Sequence, residues 1–251
     1  MGPKARMQVY RMAERNIGIE SLFERVHVRC ADYRVSGTPD FIVKTAQEDI
    51  ERERVQSARE EELEGRPVRA WSDAYLEELA VYRQIAERMP AYDTFLMHGS
   101  AVAVDGHGYL FAAKSGTGKS THARLWQKLL RDRFTYVNDD KPLVRLTANA
   151  ALIFGTPYDG KHHRSANVAV PLTAVCFLQR GDRNLIRRIT GPEAFPRLLQ
   201  QAYCPQDRTA MERTIALLRS MTERVRFYEL SCNMDPEAAQ VAFDAMAPSE
   251  P

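Results

Sequence analysis

An α/β domain built on a mixed sheet, with a small α+β cap ahead of it, is what this sequence leads one to expect. Three observations carry that expectation. Two β-rich runs, TFLMHGSAVAV from Thr94 and the GYLFAA that follows it, are joined by Asp105-Gly106-His107-Gly108 and read as an antiparallel hairpin. The second run leads into a glycine-rich loop and then a helical pattern, THARLWQKLL. Parallel doubly wound domains usually carry such a loop after the first strand of a βαβ unit, so a hairpin leading into it points to a mixed sheet. Ahead of Thr94 the chain changes character, to charge-rich helical segments and short β-like stretches. The expected division is a cap over residues 1–90 and a core domain over 91–251.

Composition excludes several classes. The 251 residues, 44% hydrophobic and 27% charged, can bury a core of their own. Thirty-five Lys+Arg against 33 Asp+Glu leave a formal net charge of +2, which supplies no whole-molecule field for nucleic acid or an anionic membrane. An anionic ligand must therefore be held by a local device. Cys30, Cys176, Cys204 and Cys232 lie far apart, with no C-x-x-C pair and no His at zinc-finger spacing, and read as buried thiols of a reducing compartment. The basic N-terminal stretch has no apolar run behind it, and nowhere do about 18 apolar residues stand together. The expectation is a soluble cytoplasmic protein without nucleic-acid or membrane partners.

Within the cap, VHVRC and FIVKT read as β-like, separated by the turn signal Ser36-Gly37-Thr38-Pro39. From Glu48 to Glu64, acids and bases alternate at helical spacing, with Thr45 and Glu48 as a capping box, which predicts a solvated helix. Gly65-Arg66-Pro67 ends it. Ser72 can cap a second helix, in which Tyr75, Leu79, Tyr82, Ala86 and Met89 recur at three- and four-residue steps up to Pro90. In the second half, AVPLTAVCFLQRG, NLIRRIT and RFYELSCN read as strands, while PEAFPRLLQQAY, AMERTIALLRSMTERV and residues 236–246 read as helices.

The loop carries the chemistry. Ala113-Lys114-Ser115-Gly116-Thr117-Gly118-Lys119-Ser120 matches the phosphate-loop pattern G-x-x-x-x-G-K-[ST] except at its first position. Glycine at 116 and 118 lets backbone N–H groups turn inward onto phosphate oxygens, since no Cβ blocks the approach or the positive φ angles. Lys119 can reach β- and γ-phosphates, the Ser120 hydroxyl can ligate Mg²⁺, and the helix opening at Thr121 aims its positive end at the same place. Ser115 through Thr121 are thus the expected nucleotide-binding residues. Twenty residues beyond Lys119, the strand-like FTYVN ends in Asp139-Asp140. A carboxylate there can hold Mg²⁺ or take a proton from an attacking hydroxyl, and two can divide those tasks. Which does which is open. Farther on, Gly155-Thr156-Pro157-Tyr158-Asp159-Gly160-Lys161-His162-His163-Arg164 brackets a turn with glycines and places up to four donors in sequence, suited to a phosphate or an acidic acceptor. The adjacent histidines lack zinc-site spacing.

Met97-His98-Gly99-Ser100, the Lys114–Ser120 loop and Val137-Asn138-Asp139-Asp140, taken in order, resemble the catalytic domain of bacterial HPr kinase/phosphorylase, whose fold is shared with phosphoenolpyruvate carboxykinases. The chain looks most like HPr-kinase-related proteins that carry a GTP-x-x-GKH segment. The resemblance implies a mixed-sheet P-loop core of that type, with His98 near the transferred phosphate, Lys119 on the phosphates and Asp139 or Asp140 as the base. Ser120, Asp139 and Asp140 would attend the metal, and Lys161 would join the nucleotide site. Implied with them are ATP and Mg²⁺, a protein or peptide phosphoacceptor, and a possible homo-oligomer. Two departures stand out: Thr121 replaces the Glu that follows the family's loop, and the second signature, Glu-Val-Arg-Gly-Leu-Gly, is absent where GTPYDGKHH stands. The expected activity is an ATP- and Mg²⁺-dependent kinase acting on a hydroxyl, with a non-catalytic nucleotide sensor or a carboxykinase-like lyase as the alternatives.

Overall fold

In the computed structural model, residues 7–63, 65 and 67–248 are described, apart from the Lys161 side chain. The chain divides into two units, Met1–Arg88 and Met89–Pro251. Among the described residues no helix is long and apolar enough to cross a membrane.

The first unit is a three-stranded sheet with helices. Strands β1 (Gln8–Met12) and β2 (Arg15–Glu20) are antiparallel, and β3 (Phe41–Lys44) adds parallel to β2. Tyr10, Ile17, Ile19 and Val43 are fully buried. The β1–β2 turn is Ala13-Glu14, both at positive φ, a geometry that ordinarily selects Asn or Gly. The VHVRC segment is not a strand: it lies in helix α1 (Glu24–Arg29), where Val26 and His27 are buried and Val28 is exposed. A distant residue anchors the chain just ahead of it. No side chain caps α1 locally, but the buried Glu77 carboxylate accepts from the backbone N–H groups of Leu22 and Phe23 at 2.6 and 2.8 Å. The Thr45 hydroxyl also donates to Glu77, at 2.6 Å, so the Thr45–Glu48 capping box does not form. Helix α2 (Gln47–Leu63) is instead closed by Asp49, whose carboxylate accepts from Ala46 N. Nor is α2 wholly solvated, because Ile50, Glu53 and Ser57 are buried and Glu53 receives Arg83 bidentately, both bonds 2.8 Å. Ser72 does cap α3 (Asp73–Arg88), whose fully buried stripe includes Leu76, Val81 and Ile85.

The second unit is α/β, around a curled mixed sheet. Its elements run β4 (Thr94–Leu96), β5 (Ser100–Val104), β6 (His107–Ala112), α4 (Lys119–Leu130), β7 (Phe134–Asn138), β8 (Leu143–Leu146), β9 (Ala151–Phe154), β10 (Ala169–Arg180), β11 (Leu185–Ile189), α5 (Gly191–Gln201), α6 (Arg208–Thr222), β12 (Arg226–Cys232) and α7 (Glu237–Met246). The strand order is β4-β8-β9-β10-β6-β5-β7, with β12 also on β10 and β11 on β12. Asp105 and Gly106, both at positive φ, turn β5 into β6. The Thr94 run is two strands rather than one: β4 pairs with β8, whereas β5 lies between β6 and β7. The break falls at Gly99, where a Cβ would come within 2.6 Å of Leu110 and 2.8 Å of the Phe111 carbonyl.

Two cores form, one on each sheet face. Phe95, Leu110, Val175 and Phe227 pack with Leu198, Leu218 and Met221 of α5 and α6. Trp126 of α4 packs with Tyr109, Phe111 and α7 on the other side. Pairing fixes direction as well: β6, β10 and β12 are parallel, and β7 shares their sense through the antiparallel β5. Their carboxyl ends therefore line one edge, where α/β sheets carry their sites.

Candidate functional site

The glycine loop leaves β6 at that edge. Gly116 and Gly118 stand at φ 75° and 120°, conformations that an L side chain rarely takes. Gly118 precedes α4 without any side-chain cap, so the amides of the first turn are left to whatever occupies the loop. The Lys119 ammonium donates to the Ala113 carbonyl at 2.9 Å. Ser115 is exposed, and Thr121, half-buried, accepts from Arg124 at 3.2 Å. From the end of β10, Arg180 donates to the Gly116 carbonyl at 2.6 Å.

The Asp pair follows β7 at the same edge. Asp139 is buried and accepts from the Ser100 hydroxyl at 2.5 Å, with the Ser120 hydroxyl nearby. Burial nevertheless raises its pKa from the ordinary carboxylate value, outweighing the two hydroxyls and the nearby Arg164 and His162. Asp140 is more open. Its carboxylate lies 3.7 Å from His98 Nε2 and 3.9 Å from Lys141 Nζ. His98 is pushed down to about 4, first by desolvation and then by the Lys119 ammonium, with Asp140 pulling the other way. Its imidazole is neutral at physiological pH even though 39% of the side chain meets solvent.

Residues 155–165 fold over the Asp pair. Asn138, fully buried, donates through Nδ2 to the Thr156 carbonyl and hydroxyl, both at 3.0 Å, and accepts through Oδ1 from Asp140 N at 2.9 Å and Lys141 N at 2.6 Å. Asp139 N donates to the Arg164 carbonyl at 3.0 Å. Gly160, at φ 70°, packs so closely that a Cβ would lie 3.1 Å from Asp140 Cβ. Two donors of this segment are already engaged: Arg164 lies over the Tyr136 ring and donates to its hydroxyl, and His163 pairs with the buried Asp159.

Beyond the glycine loop opens a cleft of about 680 Å³, within the size range of small-molecule sites. Leu125, Leu178, Cys232 and Met234 give it apolar walls, and Arg180 and Asp182 stand among its polar groups.

Of the residues singled out from sequence, the fold brings His98 to Asp140 and Lys119, and Ser120 to Asp139. The Lys161 side chain lies outside the described residues. Sequence reasoning assigned no role to Ser100, Asn138, His122 or Arg180; of these, only Arg180 had a local signal, as the last residue of an apolar strand. Among the described residues no three His, Cys, Asp or Glu side chains gather at metal-binding distances. The thiols are free, Cys30 and Cys176 buried but Cys204 exposed, contrary to the expectation that all four are interior.

Residues 69–235 match the family model described as SynChlorMet cassette protein ScmC. No curated protein matches the chain. Among solved structures, the Hpr(Ser) kinase/phosphatase from Coxiella burnetii matches at 14% identity over 50% of this chain and 95% of its own, with a TM-score of 0.28.

Proposed function

The chain belongs to the family of SynChlorMet cassette protein ScmC, and from that premise we propose that it is an ATP- and Mg²⁺-dependent kinase transferring the γ-phosphate to a hydroxyl, that of a Ser or Thr in a protein or peptide. Residues 113–120 are then a phosphate loop, and residues 91–251 a core of the kind that HPr kinase and phosphoenolpyruvate carboxykinase share. The observation that carries the reading is the convergence on one sheet edge of Lys119, of Ser120 on Asp139, and of His98 on Asp140.

The amides of Gly116 to Thr121 would cradle the phosphates, and Lys119, held beside them by the Ala113 carbonyl, would exchange that bond for phosphate oxygens. Arg180 adds a second cation to the loop. Ser120 and Asp139 are hard oxygen donors placed near each other, which suits Mg²⁺; bound there, the ion would neutralise charge on the β- and γ-oxygens. Asp140, half-open to solvent, is the better placed base. It would take the proton of the acceptor hydroxyl as that oxygen bonds to the γ-phosphorus and the bridging P–O bond breaks, releasing ADP. Neutral His98 beside it leaves the carboxylate free of a permanent imidazolium partner. The cleft beyond the loop would take the nucleoside.

The test is transfer of label from γ-labelled Mg-ATP to peptides or lysate proteins. Lys119→Ala should abolish transfer, and Asp140→Asn should lower it by roughly 10²- to 10⁴-fold while ATP still binds. Tight ATP binding with no transfer to any acceptor, unaltered by Asp140→Asn, would instead make the chain a nucleotide sensor.

A further inference from the structure

His122, on the first turn of α4, borders the cleft and takes no part in the chemistry above. It is 3% exposed, and its ring is clamped edge-on by Phe111, with centroids 4.7 Å apart. Its Nε2 receives Trp126 Nε1 at 3.1 Å. An indole N–H can only donate, so Nε2 must be the unprotonated nitrogen. With Nε2 unprotonated the ring is neutral and carries a single proton. That proton is on Nδ1. Among the described residues Nδ1 has no hydrogen-bond partner, although it is buried. An orphaned buried donor is costly, by about 1–3 kcal/mol, and calls for an explanation.

We propose that His122 reads the base of the bound nucleotide, donating Nδ1–H to a ring nitrogen or carbonyl oxygen of a purine seated in the cleft. The inference rests on the nucleotide reading given above and adds to it the residue that distinguishes a nucleoside from bare phosphate. Trp126 is a positioning residue: by occupying Nε2 it forces the tautomer that points a donor at the ligand. The surroundings agree with a planar, largely apolar occupant, since Leu125, Leu178 and Met234 line the same cleft. Asp182, an acceptor on its rim, suits an exocyclic amine or a ribose hydroxyl.

Two substitutions separate the two nitrogens of the ring. Glutamine places its amide near the Nε2 position and can still accept from Trp126, but it presents no donor where Nδ1 was. Asparagine places its amide near Nδ1 and keeps the donor while giving up the Trp126 bond. Calorimetric binding of Mg-ATP and of Mg-tripolyphosphate, which has no base, is measured on the full chain, with thermal melts alongside. Wild type should prefer ATP. His122→Gln should weaken ATP by about tenfold, as expected for one buried hydrogen bond, and leave tripolyphosphate within about twofold. His122→Asn should keep ATP affinity within about threefold while melting at a lower temperature. An unchanged ATP affinity in His122→Gln, an equal loss for both ligands, or an Asn variant as impaired as the Gln variant overturns the assignment. Tripolyphosphate binding as tight as ATP binding in wild type overturns it too, yet leaves the phosphate site standing. Failure of wild type to bind either ligand removes the nucleotide reading itself.

Discussion

Asn138→Asp exchanges a single NH₂ for oxygen at the most heavily bonded side chain of the site. The Oδ1 half survives, because an aspartate can still accept from Asp140 N and Lys141 N. The other half reverses. Where Nδ2 donated at 3.0 Å to the Thr156 carbonyl and at 3.0 Å to the Thr156 hydroxyl, an acceptor now faces acceptors. The Thr156 hydroxyl cannot turn round without loss, since its proton already goes to the Lys141 carbonyl at 3.0 Å. Asn138 is fully buried, so water offers no replacement. Two buried polar groups left unmatched, at about 1–3 kcal/mol each, amount to about 2–6 kcal/mol of lost stability. Urea unfolding followed by tryptophan fluorescence measures it, with Trp126 as a reporter inside the same unit. Labelled phosphate transfer should fall further than the folded fraction does, because the same bonds hold residues 155–165 against Asp140. A loss below about 0.5 kcal/mol would show that Asn138 does not pin this loop, and the account of how the Asp pair is positioned would be wrong.

Asp139→Asn should abolish transfer and yet raise the melting temperature at neutral pH. The folded-state pKa of Asp139 is raised by burial, so its contribution is full below the carboxyl's unfolded value near 3.9 and is lost as pH rises through the folded value. The gain should therefore vanish in melts taken below about pH 4, and a lower melting temperature at pH 7 contradicts the assignment. His122 has the opposite sign: its pKa falls from 6.5 to about 4 on folding, so about 3 kcal/mol of stability is lost as pH drops through that interval. In His122→Gln the fall of unfolding free energy between pH 6.5 and 4 should be shallower by that amount, and an identical acid profile counts against it. Gly160→Ala puts a side chain at φ 70° and a Cβ 3.1 Å from Asp140 Cβ. It should cost about 1–2 kcal/mol in stability and reduce transfer while ATP affinity holds, and an unimpaired rate means that the contact does not set Asp140.

The parts of the fold that could be read in advance are those whose cause is local. Asp105-Gly106 announces its turn because both positions need positive φ, and the hairpin follows from that turn. Ala13-Glu14 adopts the same kind of turn without the residues that advertise it, and β1 went unseen. VHVRC shows the other failure. Its Val-x-Val spacing suits a strand, whereas the chain entering it is held by Glu77, more than fifty residues away, through the amides of Leu22 and Phe23. The short strands β8 and β9 offer four residues each, too few for a period to declare itself before their pairing partners are known.

The candidate site divides in the same way. The loop and the Asp pair are contiguous motifs whose residue types suggest a chemistry, so Lys119, Ser120, Asp139 and Asp140 stand out as candidates from the chain alone. What organises them could not. Ser100 reaches Asp139 only because β5 runs antiparallel between β6 and β7, which brings the start of one strand to the end of another. Asn138 looks like one more polar residue ahead of two acids until its amide is seen spanning eighteen residues to Thr156. His122 reads as a polar residue on an amphipathic helix, and its meaning depends on which of its nitrogens Trp126 occupies. A motif thus fixes which groups can meet a phosphate, whereas the division of labour between two adjacent carboxylates comes from burial. Asp139 is enclosed by hydroxyls and Asp140 is left at the open edge beside a neutral imidazole, and the proposed kinase reading rests its assignment of cation holding to one and proton removal to the other on that asymmetry.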